Sequence, residues 1–233
     1  MPSREEIAEV VRALGNLSDR CLLTGGSSIP FYCTERADEA PRVTRDVDVV
    51  LHVHTRGDMN DIEELLRQRG FRNDSSDGAP LCRWVLHGRT LVDIMPLDAS
   101  VLGFSNPWYA AGWDLAIPVA ITESCTWRIL SAPYLLAAKT EAYRNRGAQH
   151  PQSSHDLEDI LRIINGRPSL AAEVASSPQD CRGFLGRFFQ ELLGLPDLTF
   201  IISGHLNGDR SSQARIPMIR QRMQALIPRT SSP

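Results

Sequence analysis

An α+β fold is predicted for this chain of 233 residues: a front half of short strands and amphipathic helices, then a helical back half. Two observations carry that expectation. Up to about Ile121, short apolar runs broken by Gly, Pro and polar clusters alternate with segments of helical period. From Ser131 onward the apolar residues keep helical spacing, with Pro and Gly breaks. Composition agrees, since 42% hydrophobic and 23% charged residues exclude a disordered or collagen-like chain.

Each element has its own signal. Ser3 and Glu6 form a capping box for a first helix whose apolar face is Ile7, Val10, Val11 and Leu14, and Gly15 stops it. Residues 21–23 read as a short strand broken by Gly25 and Gly26, with a helical turn from Ser27. Residues 34–45 are polar, carry Pro41 and read as a loop, and residues 47–53 form a β-rich strand. An amphipathic helix over 58–69 turns Ile62, Leu65 and Leu66 inward and ends at Gly70. After a loop over 73–80, two strands (81–87 and 89–97) join tightly at Gly88. Residues 101–121 read as loop with one short strand near Leu115, and 127–130 as another strand. Ser131 caps a helix to about Asn145. A polar loop (147–154) then leads to a helix over 155–164, closed by Asn165 and Gly166. The domain boundary is placed between a core of residues 1–125 and a helical domain of residues 126–233.

Composition also excludes function classes. A formal net charge of −3 excludes holding nucleic acid by bulk charge, though not by a local basic patch. No apolar run approaches the ~18 residues that span a bilayer, and the first ten residues read as a charged helix start rather than a signal peptide, so no membrane partner is expected. Cys21, Cys33, Cys82, Cys125 and Cys181 are odd in number, scattered and without a CxxC pair. They indicate neither a disulfide framework nor a zinc site, and a cytoplasmic location is expected.

Lys139 is the only lysine among 25 basic residues, all the others being arginine. A compact ammonium in that background marks a place where a guanidinium fork does not serve, or else a chance survivor on a solvated face. Three acids interrupt apolar strands. Asp46 and Asp48 flank Val47, so both carboxylates point to one face and can meet one cation, for which Mg²⁺ suits hard oxygens. Asp93 sits inside Leu91–Met95 and needs a metal or an ion-pair partner such as Arg89 or Arg83. If the strands are neighbours, three carboxylates converge, a cluster suited to the metals that align a triphosphate. Gly25, Gly26 and Ser27 follow a strand and open a helical turn, which allows close approach of backbone to phosphate, although an ordinary turn fits as well. The segment is neither a Walker A loop nor a dinucleotide fingerprint.

The order Gly-Gly-Ser, then Thr44-Arg45-Asp46-Val47-Asp48, then Asp93 on a later strand resembles the polymerase-β-like nucleotidyltransferase superfamily over residues 22–97. It is most similar to the AbiEii/AbiGii branch, the toxin subunits of abortive-infection and toxin–antitoxin systems. That branch carries a helical lysine and a later Asp-x-x-Asp helix, matched here by Lys139 and by Asp156 and Asp159; His155 stands where the branch often has arginine. The resemblance implies a polymerase-β-like core whose cleft also receives Lys139 and acids from the helical domain. It implies that Asp46, Asp48 and Asp93 hold Mg²⁺ or Mn²⁺ and that Gly25, Gly26 and Ser27 grip the phosphates of a nucleoside triphosphate. It further implies that Lys139 neutralises the triphosphate and that Asp156 and Asp159 orient Lys139 or the nucleotide. Asp46, Asp48, Asp93, Lys139 and Asp156 are then the catalytic set. The acceptor it points to first is the 3′ end of tRNA, then a protein hydroxyl, and an antitoxin protein is the implied partner. Two other readings use the same residues: an antibiotic-modifying transferase, and a degenerate binding module of the same fold.

His52 and His54 alternate along the strand after Asp48, without a third ligand at metal spacing. Trp108, Tyr109 and Trp113 read as loop anchors packed on the core. Arg144, Arg146, Arg215, Arg220 and Arg222 read as solvated arginines rather than a tRNA surface. The exposed face of a helix is the plain reading for Asp156 and Asp159.

Overall fold

A computed structural model of the chain describes residues 1–35 and 43–228. The fold is α+β, with a seven-stranded mixed sheet and flanking helices. Two compact units divide it. Among the described residues, 1–28 and 43–131 form the first, and 29–35 and 132–228 form the second. Most of the loop expected at 34–45 lies outside the described residues.

The first unit opens on helix α1 (Arg4–Leu14), where Ser3 and Glu6 make the reciprocal capping box and Ile7, Val10 and Leu14 are buried. Strand β1 (Cys21–Thr24) is buried throughout and passes directly into a single helical turn, α2 (Gly25–Ser28), two residues earlier than expected. Strand β2 (Asp46–Leu51) buries Val47, Val49, Val50 and Leu51 and leaves Asp46 and Asp48 half-buried. Helix α3 (Arg56–Gln68) is capped by Thr55 and buries Met59, Ile62 and Leu66, with Leu65 only half-buried. A three-residue strand, β3 (Phe71–Asn73), precedes the hairpin of β4 (Arg83–Leu86) and β5 (Thr90–Pro96). At its tip His87 and Gly88 both adopt positive φ, the conformation that tight hairpin turns need.

Residues 101–121 are more ordered than a loop. Asp98 caps a turn, α4 (Ala99–Leu102), and Asn106 caps a second, α5 (Pro107–Gly112), with Pro107 in the first helical position. The strand expected near Leu115 is β6 (Ile117–Thr122), paired with β7 (Cys125–Ile129). β6 is an edge strand, which is why Pro118 is tolerated within it.

The strand order is β3-β4-β5-β2-β1-β7-β6. β2 runs antiparallel to β1 and parallel to β5, so the apolar strands β1, β2 and β5 lie side by side at the centre. The sheet continues through β7, so the division between units falls after Ser131 rather than at residue 125.

The second unit is helical. Helix α6 (Ala132–Ala142) is buried on nearly every side and runs into a wide turn over Tyr143–Gly147. It packs against α7 (His155–Gly166), α8 (Leu170–Ser176) and α9 (Gln179–Leu193). α10 (Leu198–His205), α11 (Arg210–Gln213) and α12 (Ile216–Ala225) complete it. Residues 29–35 belong here because the end of α7 holds them. The Thr34 and Glu35 amides donate to the Gly166 carbonyl at 2.8 and 2.9 Å, and Arg167 Nη1 donates to the Tyr32 carbonyl at 3.1 Å.

Candidate active site

Strand register brings the first unit's motif residues together. Thr24, which leads into the Gly-Gly-Ser turn, lies opposite Asp48 in the β1–β2 pair. Asp48 lies beside Asp93 in the β2–β5 pair, and Arg83 lies opposite Asp93 in the β4–β5 pair. Four segments distant in sequence thus meet on four consecutive strands, with apolar neighbours beneath them.

Side-chain contacts then tie the cluster. Asp46 accepts from Thr44 Oγ1 at 2.7 Å through Oδ1, and from Arg83 Nη2 at 2.8 Å through Oδ2. Asp93 takes Arg83 as a fork, Nε to Oδ1 at 2.7 Å and Nη2 to Oδ2 at 2.8 Å. The guanidinium therefore bridges the two carboxylates. The hydrogen bonds that Arg83 donates to Asp93 raise the Arg83 pKa above its ordinary value, although burial works the other way. Next to it, burial and then the charge of Asp93 push the Cys82 thiol up to about 11, so this cysteine is not a nucleophile near neutrality.

Across β2 the contact is steric. Gly25 has a φ of +64°, and a Cβ there would fall 1.8 Å from Asp48 Oδ2. Only glycine lets this turn close on the carboxylate. Within the same turn, the Ser27 and Thr24 hydroxyls are buried and have no hydrogen-bond partner among the described residues. Each unsatisfied buried hydroxyl costs about 1–3 kcal/mol, which a polar ligand at the turn would recover.

The donor set fits a magnesium ion in part. Mg²⁺ is commonly held by one or two carboxylates together with phosphate oxygens. Asp46 and Asp48 meet that description: hard oxygens two residues apart on one strand, both half-buried. Asp93 does not, because Arg83 occupies both its oxygens. Among the described residues, no group of three acidic, histidine or cysteine side chains is arranged to hold an ion. The three-carboxylate cage expected from the sequence gives way to two carboxylates plus an arginine-bound third. The alternative partner Arg89 instead pairs with Glu9 at 2.6 Å.

Lys139 and the Asp-x-x-Asp helix form a cluster inside the second unit. Lys139 Nζ lies 2.7 Å from Asp159 Oδ2 and 3.3 Å from Asp156 Oδ1. Arg146 forks onto Asp156, with Nε at 2.7 Å and Nη2 at 3.0 Å. Asp156, Asp159 and Lys139 are all buried, so the exposed-face reading of the two acids is wrong. Acids at positions i and i+3 share a face of α7, and that face turns inward. Burial drives the Asp156 carboxyl toward a higher pKa, but the Arg146 hydrogen bonds and then the Lys139 charge outweigh it and leave the pKa below the usual value.

Nor are the arginines set aside as solvated all free. Arg222 Nη1 donates to the Ile164 and Asn165 carbonyls at 3.0 and 2.7 Å, and Arg215 Nε donates to Asn165 Oδ1 at 2.6 Å. Both therefore cap the C-terminal end of α7. Arg144 pairs with Glu191 at 2.7 Å and lies over Phe184 and Phe188. In the first unit, His52 packs against His54 and Trp113, with ring centroids 4.5 and 4.8 Å apart. That arrangement is an aromatic cluster.

The chain matches no family in a comparison with known protein families, and none of the curated proteins is similar to it. No helix among the described residues is long and apolar enough to cross a membrane.

Proposed function

We propose that this protein is a nucleotidyltransferase of the polymerase-β-like type, moving a nucleoside monophosphate from a nucleoside triphosphate to an acceptor hydroxyl. One observation carries the reading. The Gly-Gly-Ser turn closes directly on Asp48, while register lines Asp48 up with both Thr24 and Asp93. An ordinary strand-to-helix turn needs no such approach, and it gains nothing from a buried, unpartnered Ser27 hydroxyl.

Gly25 and Gly26 let the backbone approach the β- and γ-phosphates, and Ser27 Oγ donates to a phosphate oxygen. α2 is only one turn long, so the grip rests on the hydroxyl and the amides rather than on a helix dipole. Thr44 fixes the orientation of Asp46. A magnesium ion held by Asp46 and Asp48 supplies charge neutralisation and Lewis acidity at the triphosphate. The acceptor oxygen attacks the α-phosphorus and gives its proton to the carboxylate pair, and from there to water. The bond to the β-phosphate oxygen breaks, and pyrophosphate leaves with the electron pair.

The acceptor we assign is the 3′ end of tRNA, and the biological class is the AbiEii type of toxin, with an antitoxin as its partner. The resemblance of the motifs supports both assignments. The test is incubation of the protein with total tRNA and each nucleoside triphosphate, labelled in turn at the α- and γ-phosphate. Transfer of α-label with release of pyrophosphate is expected. Transfer of γ-label would make the protein a kinase, and transfer of neither to any acceptor would end the reading.

A further inference from the structure

We infer that Arg83 is the resident counter-cation of the carboxylate cluster: its guanidinium holds the place between Asp46 and Asp93 that a second divalent ion would take, and Asp93 is a positioning residue instead of a metal ligand. The inference deepens the proposed reading: it rests on the metal site at Asp46 and Asp48, but not on transfer itself, since it concerns only which cation sits between two acids.

Geometry carries it. Arg83 reaches Asp93 from the register position directly opposite on the neighbouring strand, so the fork forms without any rearrangement of backbone. The β4–β5 pairing is itself extended by the Ile94 amide, which donates to the Cys82 carbonyl at 2.8 Å. Three contacts of 2.7 to 2.8 Å fix the guanidinium, two on Asp93 and one on Asp46. The Asp93 side chain is only 11% exposed and that of Arg83 only 20%. Arginine does not lose its proton in proteins, so the pair cannot be neutralised in place. Pulling the guanidinium away would strand a nearly buried carboxylate.

A second divalent ion between Asp46 and Asp93 would have to displace Arg83. Asp46 is the more open of the two acids: only one of its oxygens is on the guanidinium, the other takes the neutral Thr44 hydroxyl, and its side chain is 25% exposed against 11% for Asp93. Asp46 and Asp48 therefore form a one-ion site, with Arg83 as its fixed neighbour.

Binding of Mn²⁺, followed by the loss of its free-ion electron paramagnetic resonance signal, tests this on the whole chain without nucleotide. Arg83→Gln frees Asp93 and is expected to bind Mn²⁺ at least about tenfold more tightly than the wild type, or to gain an ion. Adding Asp93→Asn to that variant is expected to abolish the gain. Asp93→Asn alone is expected to leave wild-type Mn²⁺ binding within about twofold. If Arg83→Gln does not fold, the charge-balanced pair Arg83→Met/Asp93→Met takes its place, with binding again expected within about twofold of wild type. Unchanged binding in a folded Arg83→Gln protein would overturn the inference, and so would a tenfold loss in Asp93→Asn or in the charge-balanced pair. Because no nucleotide is present, neither result bears on whether the protein transfers one.

Discussion

Gly25 and Asp48 share a space that admits only one of them to have a side chain: a Cβ on Gly25 would fall 1.8 Å from Asp48 Oδ2, and Gly25 holds a φ of +64°. Replacing Gly25 thus meets two separate penalties. One is the left-handed backbone, which costs an L-residue about 1–2 kcal/mol. The other is the displacement of a carboxylate from its place.

Gly25→Ala is therefore expected to lower stability by more than the backbone term alone, by about 2–3 kcal/mol. The clash with the carboxyl atoms is relieved when Asp48 is shortened to alanine, although its Cβ, 2.6 Å from the added methyl, still presses on the turn. Urea melts of Gly25→Ala, Asp48→Ala and the double variant check this. The double variant should be more stable than the sum of the two single effects predicts, because the two residues touch. Strict additivity would mean that the turn does not press on the carboxylate.

Asp46 and Asp48 carry different loads. Asp46 is tied to Thr44 and Arg83, so Asp46→Asn weakens a network as well as a proposed ligand. Thr44→Val removes only the support. It is expected to cost about 1 kcal/mol of stability and to lower transfer less than Asp46→Asn does. Melting curves and initial rates, measured together, separate support from chemistry.

In the helical unit, Lys139 sits between two buried carboxylates, at 2.7 Å from Asp159 and 3.3 Å from Asp156. Lys139→Met leaves Asp159 without that charge in an apolar interior. A loss of about 3–5 kcal/mol is expected, with much of it restored when Asp159 is also made apolar. Urea unfolding of Lys139→Met and Lys139→Met/Asp159→Leu measures it.

Asp156 makes the helical unit acid-sensitive. Its folded pKa lies below the ordinary carboxylate value because Arg146 and Lys139 overcome burial. The stability it contributes is thus fully present above the unfolded pKa of about 4 and is lost as pH falls through the folded value. Melting temperature is expected to drop as pH falls below the ordinary carboxylate range. Asp156→Asn should flatten that drop while lowering the plateau near neutrality. An unchanged acid limb in Asp156→Asn would refute the linkage.

Much of the sheet is legible in the sequence because its signals are local. The capping box at Ser3 and Glu6, the Asp-x-Asp strand and the hairpin at Gly88 each depend on neighbours a few residues away. What escapes has non-local causes. Pro118 argues against a strand unless β6 is known to be an edge. Asp156 and Asp159 look solvated until Lys139 and Arg146 arrive from α6 and the turn that follows it. Residues 29–35 belong with the helical unit because of hydrogen bonds to Gly166, far along the chain. At the candidate site, the spacing of Asp46, Asp48 and Asp93 was readable, but the choice of Arg83 over Arg89 as partner required strand register. Arg83 lies ten residues before Asp93, the separation a hairpin converts into direct opposition, and in hindsight that spacing was the available signal.

In the proposed transferase, Asp48 and the Gly-Gly-Ser turn serve nucleotide chemistry and not merely packing. The most direct test of that role compares the wild type with Asp48→Asn for transfer from α-labelled triphosphate to tRNA, with circular dichroism verifying the fold. Transfer by the wild type is expected, with a loss of at least about a hundredfold in a variant that remains folded. Equal transfer by both proteins, or none by either in the presence of Mg²⁺ and every nucleotide, would contradict it.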